Sequence, residues 1–347
     1  MTAPIPLEEN SSAGARSASK SMSQRIAHHR KGYSPLGVQN GLNPTRVRVP
    51  DGGITAWDFL AHVITSQRHR HPADDAAALQ RRFNDHAVVL RDATVLTPHS
   101  ILRAGQDVYF YRMPAEEEPV PYDIPVVYED ANLLVANKPP FMATMPRARH
   151  IVQTATVQLR RTTGIDELAP AHRLDRLTSG ILLFTKRREI RGAYQTMFAE
   201  RKVHKVYQAI APNVGIQAGT VWRNRLEKTP GEIQGRIEEG RPNAETNVVK
   251  VEPITNKQGL EGIHGPQPPL ARYTLAPTTG KTHQLRLHLW AAGAPILGDP
   301  IYPDILPEDT EDFRVPMHLT ATRLSFTDPL DGTERTFKAA PIDERIS

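Results

Sequence analysis

Between Val126 and Ile342 the chain offers one strand candidate after another and only two strong helices, and nothing else in it limits the fold as much. Val126–Tyr128, Leu133–Ala136, Ile181–Thr185, Val206–Ala211, Thr246–Val251, Arg272–Ala276 and Arg323–Phe326 all read as strands. Glu189–Glu200 sets Ile190, Ala193, Tyr194, Met197 and Phe198 on one helical stripe. Thr282–Ala292 groups Leu285, His288, Leu289 and Ala292, with Thr282 as the expected N-cap and Gly293 as the stop. Ile254–Leu270, rich in Gly and Pro, reads as a loop. Strands that follow strands lack the helical crossovers of a doubly wound parallel sheet, so the expectation is one α+β domain over residues 126–342.

Ahead of it the organisation changes three times. In residues 1–40, Ser11, Ser12, Ser17, Ser19, Ser21 and Ser23 precede Arg25, His28, His29, Arg30 and Lys31. Too little apolar side chain is present to offset the entropy of ordering, which predicts a disordered basic tail. Residues 41–113 read as a small α+β module. Val47 and Val49 alternate with Arg46 and Arg48 as a strand, Thr55 caps a helix carrying Trp57, Leu60, Ala61 and Ile64, a second helix spans Asp75–Phe83, and strands lie at Ala87–Leu90 and Val108–Tyr111. Residues 114–125 carry four prolines and a run of acids, which predicts a stiff, solvated linker.

Composition narrows the chemistry. A length of 347 residues with 39% hydrophobic side chains suits about two domains with tails. Cysteine is absent, which excludes disulfides, Cys-ligated zinc, iron–sulfur clusters and thiol catalysis together. No stretch nears the ~18 apolar residues of a spanning helix, and Met1–Gly14 lacks the apolar block of a secretory signal. A soluble, cytoplasmic protein with no membrane partner is expected. Lys+Arg number 43 against 38 Asp+Glu, a net charge of +5, which mildly favours a polyanionic partner.

Three segments carry chemistry. In His172-Arg173-Leu174-Asp175-Arg176-Leu177-Thr178-Ser179-Gly180, one carboxylate sits between two guanidinium groups at the mouth of the apolar strand Ile181–Phe184. Nearby cations keep a partly buried Asp ionised as a nucleophile or base, although taken alone the arrangement also reads as a structural ion pair. In Gly280-Lys281-Thr282-His283-Gln284-Leu285-Arg286, a helix start carries basic and amide side chains, a natural phosphate site or a solvated basic helix end. The upstream glycine of a Walker loop is missing. In Phe198–Tyr207 a basic turn enters a strand bearing Tyr207. There are 14 histidines but no His-Glu-x-x-His, and neither Gly-x-Gly-x-x-Gly nor Gly-x-Ser-x-Gly occurs, which disfavours zinc hydrolase, dinucleotide and α/β-hydrolase readings.

The first of these segments resembles the signature of the RluA-type pseudouridine synthases. Tyr128–Pro139 is similar to that family's first motif, and Gly280–His288 with Gly293–Asp299 and Tyr302 to its third. His318–Ala321 and Leu324–Phe326 also fit, so the resemblance spans Val126–Pro341. It implies a pseudouridine synthase domain with a mixed, mainly antiparallel sheet and flanking helices, which isomerises uridine in RNA to pseudouridine. Asp175 matches the catalytic aspartate, Tyr207 the active-site tyrosine, Arg286 the arginine that pairs with that aspartate, and Arg173 a residue near the flipped nucleotide. Two positions depart from the pattern: Lys281 stands where Arg is commoner, and Phe141 where the first motif usually has Gly. Residues 83–90 and 102–109 loosely resemble the second half of an S4-like RNA-binding domain.

The resemblance implies that Asp175 attacks C1′ or assists loss of a C2′ proton, while Tyr207 stacks on the base. Arg173, Arg176, Lys205, Lys281, His283 and Gln284 are the expected RNA contacts. Neither a metal nor a nucleotide cofactor is expected. A monomer acting on ribosomal RNA, or alternatively on tRNA, is the reading. An inactive RNA-binding protein of the same fold is disfavoured by the joint presence of Asp175, Tyr207 and Arg286, and a glycosidase by the lack of a second carboxylate in the other motifs.

Overall fold

The computed structural model describes residues 34–307 and 310–341. Most of the expected basic tail, residues 1–33, lies outside them. The described residues form two units, and no helix in them is long and apolar enough to cross a membrane.

The first unit holds Asn43–Ser66 and Ala73–Arg112. Strand β1 (Thr45–Arg48), helices α1 (Ala56–Thr65) and α2 (Ala76–Asn84), and strands β2 (Val89–Leu90) and β3 (Asp107–Phe110) follow in order. The strands make an antiparallel sheet in the order β1-β3-β2. Thr55 caps α1 by accepting the Asp58 N–H, and Asp75 caps α2 by accepting that of Ala78, which satisfies donors a helix start leaves open. Phe59, Leu60, Leu79, Phe83, Val108 and Phe110 fill its core.

The second unit holds Val38–Leu42, Gln67–Pro72 and everything described from Met113 onward. Its elements are β4 (Val126–Glu129), β5 (Leu133–Lys138), α3 (Ala155–Thr163), β6 (Ala169–Pro170), β7 (Ser179–Thr185), a 3₁₀ turn (Arg188–Ile190) and α4 (Arg191–Ala199). Then come β8 (Val203–Pro212), β9 (Val221–Glu227), β10 (Arg236–Glu238), β11 (Ala244–Pro253) and α5 (Gln258–His264). Finally β12 (Leu270–Pro277), α6 (Gln284–Ala291), β13 (Leu319–Thr327) and β14 (Glu334–Lys338) complete it. One sheet runs β10-β9-β11-β12-β8-β13-β7-β5-β4, with β14 on β13 and β6 on β7. Every pairing is antiparallel except β13 with β7. The α+β architecture with a mixed, mainly antiparallel sheet is the one expected.

The late strand β13 enters the middle of the sheet and joins its two halves. Its parallel contact with β7 covers only Ser179–Thr320 and Gly180–Ala321. Gly180 has φ +112°, and a Cβ there would lie 2.3 Å from the Ala321 carbonyl oxygen and 2.6 Å from its nitrogen. Only a residue without a side chain permits that approach. It brings the loop before β7 beside the start of β13.

Four expectations need correction. Ile254–Leu270 contains α5, because Leu260 packs with Ile210, Leu270 and Leu297. Helix α6 begins at Gln284, not Thr282; His283 is its N-cap, with φ +57° and no side-chain cap. The segment 114–125 is not a free connector. Glu117 accepts the N–H groups of Ile151, Val152 and Gln153, and the Tyr122 hydroxyl donates to the Phe313 carbonyl at 2.5 Å. Strands β9, β10 and β14, and helix α3, were not expected; the strands are polar and largely one-sided, so they lack an apolar run.

Phe141, the departure noted in the first motif, has φ +63° although buried. A left-handed non-glycine residue costs roughly 1–2 kcal/mol. Its ring stacks at 6.4 Å from Tyr122 and meets Phe313 edge-on at 5.2 Å. At roughly 0.5–1.5 kcal/mol each, two aromatic pairs offset the strain.

Gly180→Ala is expected to destabilise the second unit by at least about 3 kcal/mol, since steric overlap and backbone strain add. Urea unfolding would measure this, and a loss under 1 kcal/mol would show that β7 and β13 can separate freely.

Candidate active site

Asp175 sits in the loop before β7, and that loop is held from two sides. Leu174 and Leu177 are buried anchors on either side of it. The Thr144 hydroxyl accepts the Leu174 N–H at 3.1 Å and donates to the Leu174 carbonyl at 2.8 Å. The buried Lys138 ammonium donates to the carbonyls of Pro139, Met142 and Arg176 at 2.8, 2.7 and 3.1 Å. The Thr178 N–H closes the turn on the Asp175 carbonyl at 3.1 Å. A carboxylate is thereby placed at the end of a buried strand by bonds to the loop's backbone, and its side chain is left half-exposed.

Asp175, Tyr207 from β8 and Arg286 from the first turn of α6 line one cavity of about 380 Å³. That falls in the range of ~300–1,000 Å³ usual for small-ligand sites. Arg173, Lys205, Lys281 and His283 line it too, and Asp175 is the sole acidic residue among the lining residues. Among the described residues no group of three potential metal ligands is assembled.

Two expected RNA contacts are used elsewhere. Arg176 does not line the cavity. Its guanidinium pairs with both oxygens of Glu311 and donates to the Phe141 carbonyl. The Gln284 amide is buried and spent inside the protein: it donates to Glu245 O and Thr246 Oγ1 and accepts from Thr279 Oγ1 and the Lys281 N–H. It ties the Thr278–Lys281 turn to α6, which explains why no side-chain cap from Thr282 is needed.

The expected pairing of Arg286 with Asp175 also needs correction. Arg286 forms a two-pronged pair with Asp299, Nε to Oδ2 at 2.7 Å and Nη2 to Oδ1 at 2.6 Å. Both side chains are buried. Asp299 Oδ1 further accepts the N–H groups of Ile301 and Tyr302, so its carboxylate rests in a nest of donors. The Tyr302 ring lies 5.1 Å from the guanidinium carbon, and its hydroxyl meets Gly235 N at 2.7 Å and His283 Nδ1 at 2.9 Å. What Arg286 still offers the cavity is its Nη1 edge. Asp299 is the residue that sequence reasoning left without a role; its only signal was a carboxylate following Gly298 in the third motif.

The electrostatics follow from this geometry. Burial, and then the Asp175 charge, push the Tyr207 phenol far up, so it stays protonated at neutral pH and acts as an apolar ring with a hydroxyl donor. Burial and the Arg286 charge lower His283 to about 4 against the opposing pull of Asp175, so it faces the cavity neutral. Burial and the Arg201 charge lower Lys205. His172, pressed on the Phe198 ring and accepting the Leu183 N–H, is lowered by burial to about 3. Burial lowers His288 to about 4.

Asp299→Asn removes the charge that orients Arg286 and leaves that guanidinium buried without its partner. Breaking one side of a buried pair costs about 3–5 kcal/mol. The expected result is a lower unfolding midpoint together with a reduced kcat; unchanged values of both would separate the pair from the site. The buried histidines set a pH trend. Between the usual value of 6.5 and their folded values near 3–4, the unfolded chain binds protons that the folded protein does not. Stability should therefore fall as pH drops from about 6.5 towards 4, and a thermal midpoint that stayed flat across that window would contradict it.

The family model for RNA pseudouridylate synthases matches residues 132–291. The chain is 32% identical over 224 residues to the dual-specificity RNA pseudouridine synthase RluA of Haemophilus influenzae, covering 63% of this chain and 93% of that one. It is 27% identical over 281 residues to the ribosomal large subunit pseudouridine synthase D of Neisseria meningitidis serogroup A, covering 76% of this chain and 71% of that one. The solved structure of human RNA pseudouridylate synthase domain containing 1 superposes with a TM-score of 0.50 at 26% identity, over 65% of this chain and 86% of that one. The loop that carries Asp175, the strand that carries Tyr207 and the turn before Arg286 all fall inside the matched segment, and on that agreement of sequence with fold the chain belongs to the RluA-type RNA pseudouridine synthase family.

Proposed function

We propose that this protein converts uridine to pseudouridine within structured RNA, with large-subunit ribosomal RNA as the carrier, and that Asp175, Tyr207 and Arg286 do the chemistry. The observation that carries this reading is the cavity: a single carboxylate, Asp175, faces a space shared with Tyr207 and with Arg173, Lys205 and Lys281, none of which makes an ion pair among the described residues. The reaction breaks the N1–C1′ bond, turns the detached uracil, forms C5–C1′, and moves a proton from C5 to N1. Bonds and protons balance within the substrate, so no redox partner is consumed.

Asp175 acts at the sugar, as nucleophile at C1′ or as base at C2′. Both roles need an ionised oxygen that no guanidinium grips. Among the described residues Asp175 makes no ion pair, because Arg286 is committed to Asp299. Arg286 then serves as a fixed positive charge at the cavity wall, favouring negative charge as it develops on substrate. Tyr207 packs on the uracil face and offers its hydroxyl near the migrating proton. Extruding the nucleotide from its stack costs a few kcal/mol. Arg173, Lys205 and Lys281 offset this through phosphate contacts.

The ribosomal assignment is supported by the names of the relatives, one of them a large-subunit enzyme and another dual-specific. Pseudouridine mapping in ribosomal and transfer RNA, with and without the protein, tests it. A ribosomal position should lose its mark; loss confined to tRNA would reassign the carrier, and loss of none would overturn the reading. Asp175→Asn should abolish product while RNA affinity stays within about threefold; retained turnover would remove Asp175 from the mechanism. Because phosphate contacts dominate, affinity should fall steeply between 50 and 200 mM salt, by roughly 0.7–0.9 in log–log slope for each phosphate bound. A flat response would argue against this footprint.

A further inference from the structure

Helix α4 and helix α6 end in the same turn with different residues. After α6, Gly293 takes the left-handed position with φ +79°, its N–H bonding Trp290 O and that of Ala294 bonding Leu289 O. After α4, Arg201 takes it with φ +60°, its N–H bonding Phe198 O and that of Lys202 bonding Met197 O. This ending favours glycine. His86 tolerates the same position after α2, so the conformation alone signals nothing. What sets Arg201 apart is where its charge goes.

Arg201 is exposed, lines the cavity, and makes no ion pair among the described residues. Arg173, Lys205 and Lys281 share all of this except that Lys205 is half-buried. Several other cations of the second unit are paired with a carboxylate: Arg176 with Glu311, Lys186 with Glu129, Arg223 with Glu245, Arg286 with Asp299. Lys205 lies close enough to Arg201 for the two charges to repel, and its ammonium reaches the Thr279 carbonyl only at 3.4 Å. Two unanswered cations lining one cavity repel in the free protein and are stabilised once an anion lies between them.

We propose that Arg201, in the turn joining α4 to β8, and Lys205, the third residue of β8, form the subsite for the phosphodiester next to the extruded uridine. A nucleotide bound with its sugar at Asp175 carries its phosphates within reach of the cavity rim, whereas a free base or nucleoside carries none. The turn therefore gives up glycine for a side chain that selects a nucleotide within an RNA chain. This rests on the reading of the cavity as the uridine site.

The test uses the full chain as wild type, Arg201→Gly and Arg201→Lys. Binding is measured to a uridine-containing RNA stem–loop from 50 to 200 mM salt, and turnover on RNA from cells lacking the protein. Arg201→Gly should raise Kd and KM about tenfold, leave kcat within twofold, and flatten the salt slope by roughly 0.7–0.9, the value of one lost phosphate contact. Its thermal midpoint should equal or exceed that of wild type, because glycine relieves the left-handed position. Arg201→Lys should keep the wild-type slope. An Arg201→Gly protein with wild-type Kd and slope would overturn the proposal, and so would lost affinity at an unchanged slope or a lowered midpoint with unchanged Kd. A wild type that makes no pseudouridine while Arg201→Gly still flattens the slope would sink the uridine reading and leave the anion subsite standing.

Discussion

The backbone of β7 passes β13 at a distance that no side chain allows, and the site is built around that contact. Gly180 against Ala321 lets the last long strand slot between β7 and β8. The loop carrying Asp175 then opens beside Leu319, with Tyr207 on the neighbouring strand, paired with Ala321. A Cβ at position 180 would push β13 outward and widen the cavity at its base. The placement of the Asp175 carboxylate thus depends on main-chain packing, reinforced by Thr144 and the buried Lys138.

Charge is distributed on a second principle. The guanidinium deep in the wall is tied to a carboxylate of its own, Asp299, and among the described residues the Asp175 carboxylate has no ion-pair partner. A two-pronged bond to Asp175 would have stabilised that oxygen and dulled it as a nucleophile or base. Arg286 is held in place by Asp299 and not by Asp175, and the cations Arg173, Lys205 and Lys281 line the same cavity. That suits a site whose substrate brings its own negative charges in the phosphates.

The same economy appears at the edges. Phe141 accepts a strained backbone and recovers the cost through Tyr122 and Phe313, which also pins the segment 114–125 within the second unit. Arg176, beside Asp175 in sequence, is turned away to Glu311. Neighbours along the chain are therefore not neighbours in function: Arg173 faces the cavity and Arg176 does not.

Much was legible in the residues themselves. Apolar runs such as Leu133–Ala136 and Ile181–Thr185 report strands because burial on both faces demands apolar side chains whatever their partners. The cap Thr55 and the stop at Gly293 are local chemistry and agree with the residues' own preferences. Asp175, Tyr207 and Arg286 could be picked out by type and motif, and they do share one cavity. Which carboxylate holds Arg286, whether Gln284 faces RNA or the interior, and how polar strands such as β9 and β14 find partners were decided by the tertiary structure alone. Those outcomes depend on distances between segments far apart in the chain, and a one-dimensional pattern records what a side chain can bond, not which of several suitable partners folding brings within 3 Å.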